Sequence, residues 1–178
     1  MKAAFLVVWC CLSVTCHLTR AEVLEGRVVK VVDGDTVEVL DAQRRRFRVR
    51  LSWSDAPEKG QPYGSNSTHS LRALVFRKPV SVDWYKRDDY DRLIGQLWVA
   101  PVETCPSASA SCERTLDVAL AQIEAGMAWH YRRYAHEQTE EQRERYAYAE
   151  EQARGQLAGL WSARRKAIPP WVWRHSAQ

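Results

Sequence analysis

The sequence predicts an α+β fold, a small five-stranded antiparallel β-barrel with three α-helices packed on it. Three observations carry this. Short β-branched runs fill the first hundred residues, Arg46 to Leu51 alternates strictly between charged and apolar side chains, and the later apolar residues shift to a three-and-four spacing, which is helical. A chain of 178 residues with 46% hydrophobic and 27% charged residues has the make-up of one packed domain, so a disordered chain is excluded as the default.

Val23 to Val32 and Thr36 to Leu40 are β-branched runs flanking Asp33-Gly34, a dipeptide favoured in hairpin turns, so the first two strands should meet there. In the third strand, Arg46 to Leu51, period two directs Phe47, Val49 and Leu51 to the core. Leu71, Leu74 and Val75 then recur at helical spacing, Lys78-Pro79 stops that helix, Val80, Val82 and Trp84 alternate again, and Ile94 to Val99 reads as a fifth strand. Leu116, Leu120, Ile123 and Met127 make an apolar helical stripe. Thr139-Glu-Glu-Gln142 resembles a capping box opening a last helix, with Tyr146, Ala149, Ala153 and Leu157 on one face and Gly159 at its end. Strands and helices in this order suit a closed barrel of the oligonucleotide-binding type. The tail, Pro169-Pro170-Trp171-Val172-Trp173-Arg174, is too rich in tryptophan for a free linker and is expected to pack back on the body.

The first 21 residues place Lys2 before a short apolar run and end at Thr19-Arg20-Ala21, the pattern of a secretory signal peptide cleaved near Ala21. A retained membrane anchor is the alternative. On the first reading, residues 22–178 form the mature domain, exported to a periplasm or secreted, with no membrane association after cleavage. The formal charge of +4 falls to +2 when Lys2 and Arg20 leave with the leader. So mild a surplus does not by itself argue for nucleic acid, and affinity for it would need a local cluster. Cys10, Cys11 and Cys16 belong to the leader, while Cys105 and Cys112 bracket a Ser/Ala/Pro loop and read as a disulfide. A bridge closing so small a loop adds about 2 to 3 kcal/mol and trims the loop without defining the fold. Free thiols are the alternative; zinc ligation lacks a nearby histidine.

The chemistry-bearing feature is a split acidic constellation. Asp33-Gly34-Asp35-Thr36 follows the first strand, Arg50-Leu-Ser-Trp-Ser-Asp55-Ala56-Pro57-Glu58 comes some twenty residues later, and Asp88-Asp89-Tyr90-Asp91-Arg92 lies beyond. Carboxylates and arginines at these places are what a hard cation and a phosphodiester require. Each half has a bland explanation: Asp is common in turns, Asp55 with Glu58 could cap a helix, and arginines are usually solvated. Their conjunction is similar to the signature of the staphylococcal nuclease (thermonuclease) family: Asp-Gly-Asp-Thr, then Val-Arg-Leu before Asp-Ala-Pro-Glu, then Asp-x-Tyr-Gly-Arg. The likeness runs from about Val23 to Trp173 and includes Gly126-Met-Ala-Trp129 and Gly159-Leu-Trp161.

The resemblance implies a calcium-dependent, sugar-non-specific endonuclease that hydrolyses DNA and RNA to products ending in a 3′-phosphate. It gives Asp35, Asp55 and the Ala56 carbonyl to Ca2+, a site of roughly 0.1 to 1 mM affinity with so few carboxylates. Glu58 would orient or deprotonate the attacking water, Arg50 and Arg92 would grip the phosphate, and Asp33 would stand behind the metal ligands. Two stretches depart from the pattern. Asp91 stands where glycine is usual, a strained choice at positive φ that could also pair with Arg92, and Ser52-Trp53-Ser54 replaces a Gly-Ile-like pair. Trp53, Tyr85 and Tyr90 are candidates for base stacking, with core packing the commoner fate of such residues. The five histidines, His17, His69, His130, His136 and His175, show no metal spacing and receive no catalytic role. No stable protein partner is implied, and a monomer is expected. The rivals are a non-catalytic nucleic-acid-binding barrel and a calcium-stabilised structural domain of the envelope; the second leaves Arg50 and Arg92 without a purpose.

Overall fold

The computed structural model describes residues 22–106, 109, 111–162 and 167–176, so the expected signal peptide lies outside the described residues. The chain begins with strand β1 (Glu22–Val31), β2 (Thr36–Leu40) and β3 (Arg46–Leu51), each antiparallel to the one before. A two-residue strand β4 (Ser54–Asp55) and helix α1 (Gly64–Val75) follow, then β5 (Pro79–Arg87) and β6 (Leu93–Val99), paired as an antiparallel hairpin. β1 is long enough to pair with β2 through one part and with β5 through another, which lets the sheet curl. β3 then meets β6 in parallel, Val49 opposite Leu93 and Leu51 opposite Gly95, and this pairing closes the five-stranded barrel. The expected barrel is therefore present, with one parallel seam among its antiparallel pairs.

Period two fills its interior. Val28, Val37, Val39, Val49, Leu51, Val80, Val82, Leu93, Leu97 and Val99 are all buried, and Phe47 packs at the rim. Full burial of one such side chain stabilises by about 1.5 to 3 kcal/mol, so this alternation is the main determinant of the register. Leu71 and Val75 bring α1 onto one end of the barrel.

After the loop spanned by the Cys105–Cys112 disulfide, whose Cα atoms are 6.0 Å apart, come a short strand β7 (Leu116–Asp117) and α2 (Val118–Glu124). The helix is shorter than the apolar stripe suggested. Asp117 accepts hydrogen bonds from the Ala119 and Leu120 amides and starts the helix there, leaving Leu116 in a strand; Met127 lies beyond its end. Asp117 also receives the hydroxyl proton of the buried Tyr146, at 2.8 Å, so one carboxylate caps α2 and anchors the next helix. That helix, α3 (Glu140–Gly155), follows β8 (Trp129–His130) and opens on the predicted capping box of Thr139 and Gln142. Tyr146, Ala149 and Ala153 are buried as expected, but α3 ends at Gly155. Leu157 stands outside it, 65% exposed, and Gly159 at φ +47° opens a 3-10 turn instead of ending the helix.

A fourth helix, α4 (Pro170–Ser176), is added by the tail. Trp171 stacks on Tyr131 with ring centres 5.5 Å apart and meets Trp129 edge-on at 6.3 Å, while the Gln61 side-chain amide donates to the Ile168 carbonyl at 2.6 Å. The tryptophan-rich tail packs on the body, as its composition predicts. Among the described residues no helix is long and apolar enough to cross a membrane.

Candidate active site

Asp35 sits at the start of β2, where its carbonyl accepts from the Leu51 amide of β3 at 2.8 Å. Gly34 before it is pressed against α1: a Cβ there would lie 2.0 Å from Ser67 Oγ and 2.7 Å from the Ala56 side chain, so only glycine fits. Gln122 of α2 reaches the same turn, its amide donating to the Gly34 carbonyl at 2.9 Å and the Ser67 carbonyl at 3.1 Å. One buried amide thus joins the acidic turn, α1 and α2. Asp55 is placed by β4, which pairs with β8 through Asp55 opposite Trp129. It caps no helix, since α1 begins only at Gly64. The bland explanation of Asp55 fails, whereas Asp33 does hold a local turn, accepting from the Asp35 amide at 3.1 Å.

The two halves of the constellation converge. Arg50 Nη2 lies 3.3 Å from Asp35 Oδ2 and 2.8 Å from Asp55 Oδ1, so the two carboxyls are well under a nanometre apart. The Ala56 amide donates to Asp35 Oδ2 at 3.0 Å, which sets the Ala56 peptide beside the same carboxylate. Burial pushes the Asp33 carboxyl up to about 6, helped by the Asp35 charge. Burial also raises Asp55, while its ion pairs with Arg174 and Arg50 pull the other way. Arg50 responds in the opposite sense: burial disfavours its charge, but Asp35 and Asp55 outweigh that and hold it above its ordinary value.

Asp33, Asp35, Arg50 and Ala56 line a cavity of about 380 Å³ together with Glu58, Tyr85, Tyr90, Arg92 and Tyr131, while Asp55 is buried just outside that lining, paired with Arg50. Arg92 enters from the β5–β6 turn. Asp91 does adopt a left-handed φ, 58°, but it pairs with Arg87 at 2.7 Å and not with Arg92, which corrects the expected pairing. Asp88 is the partner of Arg92, taking Nη2 at 2.6 Å and Nε at 2.7 Å on one oxygen and the Arg92 amide at 3.0 Å on the other. Replacing Asp91 by Gly should therefore raise stability by about 0.5 to 1 kcal/mol, because strain is relieved and only an exposed ion pair is lost. Urea denaturation measures it, and a loss of stability would show that the Asp91 side chain matters more than its backbone. Arg92→Ala should lower turnover at least about a hundredfold. Asp88→Asn, which takes the negative charge from the oxygen that holds Arg92 Nη2 and Nε but leaves the guanidinium in place, should lower it on the order of tenfold; equal losses in steady-state assays would contradict this ranking.

Trp53 adopts φ 61°, consistent with its place where glycine is usual, and is only 6% exposed, packed edge-on against Tyr146 at 5.8 Å. Its burial offsets the backbone cost, so Trp53 is a core residue. Tyr85 stacks behind it and donates to Glu137 at 2.9 Å, while Tyr90 is 77% exposed at the cavity rim. His130 is buried against Gln138, at 2.8 Å, and is not among the residues that line the cavity.

Among the cavity residues that the sequence did not point to, the charged one closest to the Asp55 carboxylate comes from the tail. Arg174 of α4 spans Asp55, with Nη1 at 3.2 Å from Oδ1 and Nη2 at 2.8 Å from Oδ2, and reaches Glu58 Oε1 at 2.5 Å. Burial opposes its charge, yet the hydrogen bonds to Asp55 and Glu58 hold it well above the ordinary arginine value.

A family model described as staphylococcal nuclease homologue matches residues 48–163. The chain belongs to the staphylococcal nuclease family. An endonuclease of Escherichia coli O157:H7 is 38% identical over 152 residues, 85% of this chain and 86% of the relative. A micrococcal nuclease of Shigella flexneri is 38% identical over 153 residues, 86% and 82% of the two chains. A probable staphylococcal-like nuclease of Oryza sativa subsp. japonica shares 32% identity over 130 residues, covering 73% of this chain and 33% of that protein. This staphylococcal nuclease homologue is a nuclease hydrolase. Among its described residues no three His, Cys, Asp or Glu side chains form a metal cage. The donors that do converge, the Asp35 and Asp55 carboxylates beside the Ala56 peptide, are hard oxygens in the small number that a weak, largely hydrated calcium site would use.

Proposed function

We propose that the protein is a calcium-dependent endonuclease that cuts DNA and RNA with little regard to sequence or sugar, leaving a 3′-phosphate. The supporting observation is the convergence of Asp35, Arg50 and Arg92 on one cavity, with Asp55 paired to Arg50 directly beneath its lining. Asp35, Asp55 and the Ala56 carbonyl would hold Ca2+, which supplies positive charge beside the phosphate and a polarised water. Arg50 is fixed by Asp35 and Asp55 at its Nη2 and by the Ser54 carbonyl at its Nη1, so its fork presents charge to phosphate oxygens without reorganising. Glu58, half-exposed at the cavity edge, orients or deprotonates the water that attacks phosphorus. The bond from phosphorus to the 5′-oxygen breaks, Arg92 steadies charge on that oxygen, and it takes a proton from solvent to leave as a 5′-hydroxyl, while Glu58 returns to solvent the proton it took from the attacking water. Exposed Tyr90 is placed to meet a base. A structural envelope domain leaves Arg50 and Arg92 without a purpose, and a binding-only barrel has no need of Asp35, Asp55 and Glu58 beside them.

The same reading takes the enzyme to be exported, a setting in which the Cys105–Cys112 bridge persists. Digestion of end-labelled single-stranded DNA and RNA oligonucleotides in calcium tests the proposal. Both should yield internal fragments bearing a 3′-phosphate, and 5′-phosphate products would place the broken bond on the other side of phosphorus.

A further inference from the structure

We propose that Arg174 is part of the reaction site: a tail-borne guanidinium that stands in for the divalent cation on Asp55 and Glu58, and that must leave Asp55 when the cation enters. The inference rests on the calcium reading above. It is carried by the geometry of α4, which the calcium reading does not use.

Asp55 is the most deeply buried acid of the site, its side chain 1% exposed, and each of its oxygens is already engaged. Oδ1 is shared between Arg50 at 2.8 Å and Arg174 at 3.2 Å, and Oδ2 belongs to Arg174 at 2.8 Å. A calcium ion bonds a carboxylate oxygen at about 2.3 to 2.6 Å. An ion on either Asp55 oxygen would therefore sit against the Arg174 guanidinium, and two positive charges at such a distance, screened little by solvent, exclude one another. Arg50 Nη2 also opposes an ion on Oδ1, but it is held in place by Asp35 and its fork by the Ser54 carbonyl, whereas Oδ2 is blocked by Arg174 alone, so Arg174 is the guanidinium whose departure opens Asp55.

The tail is built to let Arg174 move alone. Its anchors are the Gln61 bond to the Ile168 carbonyl and the stacking of Trp171 on Tyr131, both earlier in the chain than Arg174. The Arg174 side chain is 38% exposed, so its guanidinium can turn into the cavity or solvent while α4 stays docked. Before a cation arrives, Arg174 neutralises a buried carboxylate and keeps Glu58 in place. The cost is competition, and calcium binds more weakly than the bare carboxylates would allow.

Calcium titration by calorimetry on the purified protein, with Arg174→Gln and Arg174→Lys beside it, tests this. Arg174→Gln should bind calcium about tenfold more tightly than the wild type and melt at a lower temperature without calcium. Arg174→Lys, which keeps a charge but cannot span both carboxylates, should fall between them and carries the test should the glutamine variant fail to fold. Unchanged or weaker calcium binding in the variants, with the wild type binding, overturns the role of Arg174 and leaves the calcium reading standing. Calcium binding by none of the three overturns both.

Discussion

An excess of chelator is expected to abolish hydrolysis of single-stranded DNA, and added calcium to restore it. The reasoning starts from Asp35 and Asp55, whose carboxylates share one arginine nitrogen and lie largely out of solvent. Burial raises Asp55 and Asp33, so their negative charge is costly to hold without a cation, and a phosphodiester, itself an anion, would be repelled by the carboxylates that stay ionised. A divalent cation reverses that repulsion. With two carboxylates and one carbonyl from the protein, affinity should be roughly 0.1 to 1 mM, well within the reach of a chelator. Full activity in excess chelator would remove the cation from the mechanism.

Replacing Arg50 by Ala should lower turnover at least about a hundredfold, the scale at which loss of one preorganised donor is felt. Its side chain is 14% exposed and bridges the two carboxylates, so its removal also leaves two buried acids with less compensation. Breaking a buried pair in this way costs about 3 kcal/mol or more, and the variant should melt earlier as well. Arg50→Lys separates the two effects. A lysine restores charge, and with it stability, but offers no planar fork for a phosphate, so stability should recover more than turnover. An unaffected rate in the folded Ala variant would take Arg50 out of the site.

The barrel was legible because its strands are half-buried and their alternation writes the core directly: Phe47, Val49 and Leu51 point inward as period two requires. The capping box at Thr139 and Gln142 was legible for a similar reason, since both of its hydrogen bonds are made within four residues. The parallel seam between β3 and β6 was not, because it joins residues over forty positions apart and no local pattern announces it. The carboxylate convergence came from the family likeness, not from spacing. Asp88 as the keeper of Arg92 is a local contact, four residues away, but Asp91 is adjacent to Arg92 in sequence and carries the same charge, so sequence alone does not say which of the two holds it. Arg174 escaped because a seven-residue helix is too short to show periodicity. The signal that could have found it was Pro170, a residue suited to a first helical position, followed by two tryptophans that demand burial.

The single side-chain amide of Gln122 holds the Gly34 turn, α1 and α2 at once, and α2 is in turn fastened to α3 through Asp117 and Tyr146. The acidic turn that carries Asp35 therefore cannot come apart ahead of the scaffold. On heating, loss of activity and collapse of the whole molecule should arrive together as one cooperative event, and on cooling the enzyme should return to work as soon as it refolds.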